Sequence, residues 1–264
     1  MEPEGLAVVT GASRGIGRAV AIELAARGFD TIATMRDPAD GADLIASGLR
    51  VERLDVTDPA TIALPAGLRV LVNNAGVESD NLPLEFMPLD SWQRLFATNV
   101  FGLVEVTKRA VPLLRTTGGG VICNITSSST LAPVPFLGTY RASKAAVTAI
   151  GESLAAEVAQ FGIRVIEVMP GPIETDMLAA SDRPPVAAEH AEYRALAERL
   201  WEGRQGIRDQ YTPAAEAARR IVDAICDDDG PLRYGCDDLS VGMLEGWNTT
   251  DNAKWTRGML KSFT

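Results

Sequence analysis

The stretch TGASRGIG at residues 10–17 constrains this chain more than any other feature. Leu6 to Thr10 reads as a buried strand that leads into it, and the apolar-periodic segment Ile16 to Arg27 reads as a helix that leaves it. In such a strand-turn-helix, Gly11 permits the tight turn. Gly15 lets backbone approach a bulky anion, and Gly17 lets the helix lie close on the sheet. The unpaired amides at the helix start then face phosphate. The spacing predicts a dinucleotide pyrophosphate site made by Gly11, Ser13, Arg14, Gly15, Ile16 and Gly17.

The rest of the chain repeats the alternation. Strands are predicted over Thr31–Met35, Arg50–Leu54, Arg69–Asn73, Val121–Ile125, Ile163–Met169 and near Leu232–Gly235. Between them stand helical stretches, one running from Pro88 through Asn99 to Leu114, others over Thr139–Phe161 and Ala214–Cys226. Strands separated by helices of this length imply a parallel sheet covered on both faces. The expected fold is α/β: a three-layer, doubly wound, Rossmann-like domain with a mostly parallel seven-stranded sheet. The 264 residues suit one such domain, and no linker divides them. Residues 176–212, polar and marked by Pro184 and Pro185, read as a lid on the substrate side.

Charge and composition narrow the function. Against 25 basic side chains stand 35 acidic ones, a net charge of -10, which disfavours nucleic acid and anionic membrane as partners. His190 is the lone histidine, and Cys123, Cys226 and Cys236 lack metal-ligand spacing, so no metal is expected. The beginning of the sequence lacks a basic region followed by a long apolar stretch, and a cytoplasmic protein is expected.

Two further groupings carry chemistry. At the end of the second strand an acid would hold ribose hydroxyls, but position 35 is Met35 and Arg36 follows. With Arg14, Arg36 suits the extra phosphate of NADP(H); Asp37 competes, either for the hydroxyl role or as a partner of Arg36. Tyr140 and Lys144 are four apart on a predicted helix and share a face. A neighbouring ammonium is expected to lower the phenol pKa and ready Tyr140 for proton transfer. Ser127, just past the fifth strand, can hold a substrate oxygen; Ser128 and Ser129 are its rivals.

These residues together resemble the short-chain dehydrogenase/reductase family. TGASRGIG matches its cofactor turn, NNAG at 73–76 its post-strand motif, and YRASK at 140–144 its catalytic motif, with Ser127 at the usual separation. PGPIET at 170–175 matches the segment that contacts nicotinamide. The resemblance implies that Asn74, Ala75 and Gly76 flank the adenosine side and that Asp55 and Val56 border adenine. It implies that Pro170, Gly171, Ile173 and Thr175 lie at the nicotinamide, and that Asn99 joins Ser127, Tyr140 and Lys144 by holding a water that links Lys144 to solvent. Arg36 fits the NADP(H)-preferring branch, and MRDP at 35–38 is similar to steroid and retinol dehydrogenases of that branch.

The expected activity is therefore NADP(H)-dependent interconversion of a fairly hydrophobic ketone or aldehyde and its alcohol. An NAD(H)-dependent alcohol dehydrogenase and a non-catalytic nicotinamide-binding regulator are the alternatives. Ser129, Leu131, Val134, Pro135, Phe136 and residues 176–200 are expected to wall the substrate. The expected partners are a small-molecule substrate and further copies of the chain, as a homodimer or homotetramer.

Overall fold

Leu6–Val9 form β1, four consecutive buried residues. Ala7 and Val9 face one side of the sheet while Leu6 and Val8 face the other. Burial on both faces is why this strand reads as an unbroken apolar run. The computed structural model describes every residue except Ser79, Ala180, Ser181, Asp182, Ser262 and Thr264. After β1 come α1 (Gly15–Arg27), β2 (Asp30–Met35), α2 (Ala42–Ala46), β3 (Arg50–Arg53) and β4 (Leu68–Asn73). Then follow α3 (Leu89–Phe96), α4 (Leu103–Thr116), β5 (Gly120–Ile125), α5 (Gly138–Val158) and β6 (Ile163–Val168). The remainder is β7 (Ile173–Glu174), α6 (Asp176–Ala179), α7 (Arg194–Gln205), β8 (Thr212–Pro213), α8 (Ala214–Cys226), β9 (Arg233–Tyr234), α9 (Asp238–Thr249) and α10 (Asn252–Lys261).

Seven strands make one sheet in the order β3-β2-β1-β4-β5-β6-β9. Among the described residues every pairing within it is parallel. This is the expected doubly wound Rossmann-like sheet. On one face, α1 and α8 close a core that includes Val20, Leu24, Ile221 and Ile225. On the other, α4 and the end of α5 contribute Val106, Leu114 and Val158. The winding reverses between β1 and β4, which opens a crevice at the carboxyl ends of the strands.

Three features depart from the expectations. The long helix expected from Pro88 is interrupted by a wider, π-type turn over Ala97–Gly102. Asn99 causes it: its Oδ1 accepts the Val77 amide at 2.8 Å, and its Nδ2 donates to the Val77 carbonyl at 2.9 Å. At the other end of the turn Gly102 lies against Val56, where a Cβ would come within 2.6 Å of a Val56 methyl.

Second, the segment 176–212 is fastened at both ends. β7, just before it, pairs with β8 at its end, with Ile173 opposite Thr212. Of that segment, residues 180–182 lie outside the described residues. Third, two helices, α9 and α10, follow the last strand, where no element was expected. Asp237 starts α9 with a capping box: its side chain accepts the Ser240 amide at 2.8 Å, and Ser240 Oγ accepts the Asp237 amide at 3.2 Å. Trp255 of α10 donates from Nε1 to the Leu131 carbonyl at 2.6 Å, which fixes this end of the chain beside the serine-rich loop.

Candidate active site

The glycine turn has the geometry that a pyrophosphate needs. Gly11 has φ +65°, and a Cβ there would stand 2.8 Å from the Ala75 backbone. A side chain on Gly17 would collide with the Asn74 amide. Helix α1 begins at Gly15 with no side-chain cap and no acid in its first turn. Its first amides are therefore left for an anion, and the dipole favours negative charge there. The residues present fit a dinucleotide.

The NNAG stretch braces this turn. Asn74 Nδ2 donates to the carbonyls of Thr10 and Gly11, each at 3.0 Å. Thr10 Oγ1 accepts the amides of Asn74 and Ala75 at 3.0 and 3.1 Å. Asn74 thus acts mainly on the shape of the turn. Thr175 closes it from the opposite side, its γ-methyl 3.3 Å from the place of a Cβ on Gly15.

The ends of β2 and β3 refine the adenosine side. Met35 is buried and packs against Gly41, so position 35 points into the core rather than toward a ribose. The exposed residue at that strand end is Arg36. Asp37 caps the turn that follows by accepting the Ala39 amide at 3.0 Å. Arg14 lies at the surface 3.5 Å from Asp176. Asp55 accepts the amide and hydroxyl of Thr57 at 2.9 and 2.7 Å, whereas the Val56 side chain is buried against Gly102.

At the carboxyl end of β5, a cleft of about 330 Å³ gathers Ser127, Tyr140 and Lys144. Ile16, Asn74, Gly76, Pro170, Gly171, Ile173 and Thr175 line the same cleft, so it runs on from the glycine turn. Tyr140 shares the cleft with Ser127, whose hydroxyl pulls the phenol pKa down. Ser127 Oγ also lies 2.9 Å from Ser129 Oγ, while Ser128 is buried and its amide donates to Pro170. Among the three serines, the one whose hydroxyl acts on the phenol is Ser127. Lys144 is buried beside Tyr140, its Nζ 5.7 Å from the ring centre and 2.9 Å from the Ile125 carbonyl. Asn99 does not line the cleft; its Nδ2 also donates to Ser143 Oγ at 3.1 Å, on the turn between Tyr140 and Lys144. With both amide protons and the oxygen engaged, the Asn99 side chain holds backbone and helix in place.

The electrostatics reverse one expectation. Burial pushes the Tyr140 phenol above its usual value, the charge of Glu78 adds to this, and the Ser127 hydrogen bond opposes both. Burial also pushes the Lys144 ammonium down to about 8, against the pull of Glu167. A tyrosine readied by lysine alone is therefore not what the site presents. The low-dielectric surroundings dominate and keep the phenol a proton donor.

Several cleft residues were not anticipated. Glu78, Arg204, Ile207, Tyr211, Leu239 and Met243 all line it. Of the expected wall, Ser129, Val134, Met177 and Leu178 are present. Leu131 instead packs with Met169 and Leu244, and Phe136 with Ala187 and Ala197. Asp237 is fully enclosed behind the wall; its Oδ2 accepts the Gly171 amide at 2.7 Å. The sequence signal for Asp237 was its position before a helix with Ser240 at the third residue.

The short chain dehydrogenase family matches this chain over residues 5–185. The chain belongs to the short-chain dehydrogenase/reductase family. Its sequence is 36% identical over 191 residues to the uncharacterized oxidoreductase YusZ of Bacillus subtilis (strain 168), covering 67% of this chain and 68% of that protein. It is 38% identical over 187 residues to the 3-oxoacyl-(acyl-carrier-protein) reductase FabG of Escherichia coli (strain K12), covering 66% of this chain and 76% of the relative. Among solved structures, a short chain dehydrogenase from Burkholderia cenocepacia J2315 in complex with NADP superposes with a TM-score of 0.78 at 25% identity, covering 96% of this chain and 97% of that one. In this short-chain dehydrogenase/reductase, Arg204, Asp237, Leu239 and Met243 lie beyond the matched residues. The family's common part thus carries the turn and the Ser-Tyr-Lys group, and the rest of the chain supplies much of the wall.

Proposed function

We propose that this protein is an NADP(H)-dependent carbonyl reductase or secondary alcohol dehydrogenase acting on a substrate with a fairly apolar body. The observation that carries the reading is the single cleft that joins Ser127, Tyr140 and Lys144 to the glycine turn. A cofactor of this class supplies or takes up a hydride at the substrate carbon. The chain's own residues manage the oxygen and its proton. Ser127 holds the substrate oxygen, and Tyr140 gives its phenolic proton as that oxygen becomes a hydroxyl. Lys144 holds the ribose and offsets charge on the phenol after the proton has left. Asn99 keeps the Tyr140–Lys144 helix in register through Ser143. Arg36, with Arg14 in the glycine turn, favours a 2'-phosphate because both guanidiniums lie at the surface and position 35 holds the buried Met35 rather than an acid.

Val134, Leu137, Met177, Leu178, Ile207 and Met243 give the substrate side an apolar surface. Residues 176–212 serve as its lid. Consumption of NADPH with a panel of aliphatic and aromatic ketones tests the activity. Tyr140→Phe should reduce turnover by a factor on the order of 10² to 10⁴ while NADPH affinity is kept. A protein that binds NADPH and turns over no carbonyl would instead be a nicotinamide-binding regulator.

The chain also presents a face suited to self-association. Ala145, Ala149, Ser153 and Ala156 are exposed along α5, and Phe101 is 63% exposed before α4. Small side chains permit close helix approach, and Phe101 offers an anchor, so the proposed assembly is a homodimer or homotetramer. Leu114 is not part of that face; it is fully buried in its own core. Among the described residues no helix is long and apolar enough to cross a membrane.

A further inference from the structure

The apolar wall of the cleft carries one pair of opposite charges. Glu78 stands on the loop that leaves β4, and Arg204 stands on α7 of the proposed lid. Both line the cavity that holds Tyr140 and Ser127. Neither belongs to the glycine turn or to the proton-transfer group.

The two charges act on one another and on the reaction centre. Burial pushes the Glu78 carboxyl up, and Arg204 pulls it back. Burial pushes the Arg204 guanidinium down, and Glu78 raises it again. The charge of Glu78 also reaches the Tyr140 phenol. Both groups line the cavity that takes the reacting carbonyl.

A lid could be held shut without them. Removing a carboxylate and a guanidinium from water carries a penalty that their attraction offsets only in part, and apolar residues of similar volume often do as well or better. Recognition of a polar group on the substrate gives the pair a purpose. Its chemistry says which group. A cationic substrate would meet Arg204, and an anionic one would meet Glu78. A neutral hydroxyl suits both, because it donates to a carboxylate oxygen and accepts from a guanidinium N–H.

We propose that Glu78 and Arg204 form a hydroxyl-recognition site beside the reacting carbonyl, and that the substrate is a neutral 2-hydroxy ketone with an apolar body, or the matching vicinal diol. This rests on the carbonyl chemistry proposed above. A site built to bond a hydroxyl discriminates against the analogue that lacks it, because the Glu78 carboxylate then loses the donor that the hydroxyl supplies.

The test compares 2-hydroxyacetophenone with acetophenone in the wild-type enzyme, Glu78→Leu and Arg204→Met, by NADPH consumption. The wild type should favour the hydroxy ketone by about tenfold or more in kcat/KM, with most of the difference in KM. In Glu78→Leu the hydroxy ketone should lose this advantage and acetophenone should gain, bringing the ratio to within about twofold of one. Arg204→Met should act in the same direction. NADPH affinity and thermal melting of each variant verify the fold. Equal rates for the two ketones in the wild type would overturn the inference. So would an equal loss for both in the variants, which would make the pair only a latch. If neither ketone is reduced, the carbonyl-reductase reading fails by itself. The hydroxyl site is then judged by calorimetric binding of 1-phenyl-1,2-ethanediol against 1-phenylethanol to the enzyme saturated with NADP+, where equal affinities would overturn it.

Discussion

Asp237 receives the Gly171 amide at 2.7 Å and so ties the PGP segment at the cleft to the start of α9. The same carboxylate accepts the amide and the hydroxyl of Ser240, at 2.8 and 2.7 Å. It is 1% exposed. Asp237→Ala leaves these buried donors unmatched and should lower stability by about 3 kcal/mol in chemical denaturation. Because Gly171 also lines the cleft, NADPH affinity should fall with it. Unchanged stability would mean that Gly171 and α9 are held by other contacts.

Arg36 and Asp37 are adjacent but differently employed. Arg36→Ala should weaken NADPH binding by about 10- to 100-fold and change NADH little, since it removes charge-assisted bonds to the 2'-phosphate. Asp37→Ala should leave the cofactor preference intact and cost about 1 kcal/mol as a lost cap. Calorimetric titration of both cofactors into both variants checks this, and equal losses for NADPH and NADH in Arg36→Ala would count against it.

Lys144 makes stability depend on pH with a definite sign. Its ammonium falls from 10.5 to about 8 on folding. Between those values the unfolded chain binds the proton and the folded chain does not, so stability rises with pH across that window. The rise should be on the order of 3 kcal/mol, and Lys144→Met should abolish it. Tyr140 acts in the opposite sense, because its phenol is raised above 10.0 and folding then holds a proton that the unfolded chain releases. Its effect begins only above about 10, which leaves the lower part of the Lys144 window clear. Urea unfolding at a series of pH values reads both.

The proposed lid has an identifiable fastening. His190 stacks on Phe86 with ring centres 4.1 Å apart, and Tyr193 donates to Glu85 at 2.5 Å. His190→Ala should speed hydrogen exchange over residues 183–205 and leave the sheet protected. Adding NADPH with a substrate should slow exchange there in the wild type. Strong protection of this stretch under every condition would argue against a moving lid.

Assembly can be read from mass. Light scattering should give a multiple of 28.1 kDa for the wild type. Ala149→Glu places a charge in the exposed small-residue face of α5 and should shift the population toward monomer. A wild-type mass of one chain with full activity would refute the proposed interface.

What could be read from the sequence was what is local. The strand at Leu6, the glycine turn and helix α8 each announce themselves within a dozen residues, through apolar runs and periodicity. Tyr140 and Lys144 were legible for the same reason, being one helical turn apart. The partner of Asn99 at the helix break was not, because it is the backbone of Val77, which only the fold brings near. Glu78 and Arg204 escaped notice because they line one cleft from distant parts of the chain with no sequence pattern linking them. The direction of the Tyr140 shift was missed because burial is a tertiary property, while the lysine beside it is visible in the text of the chain. The helices after Gly235 were missed; α10 is mainly polar and buries none of its residues in the core.

The short pairing of Ile173 with Thr212 makes the intervening chain a detachable cassette. Its two ends are pinned side by side, so the length and make-up of the excursion can change without pulling on the sheet or on the Tyr140 helix. Closing a longer loop between fixed ends adds little, since each doubling costs only about 0.6 kcal/mol. Grafting another excursion between these two anchors is thus a way to redirect what the enzyme accepts while the reactive centre stays as it is.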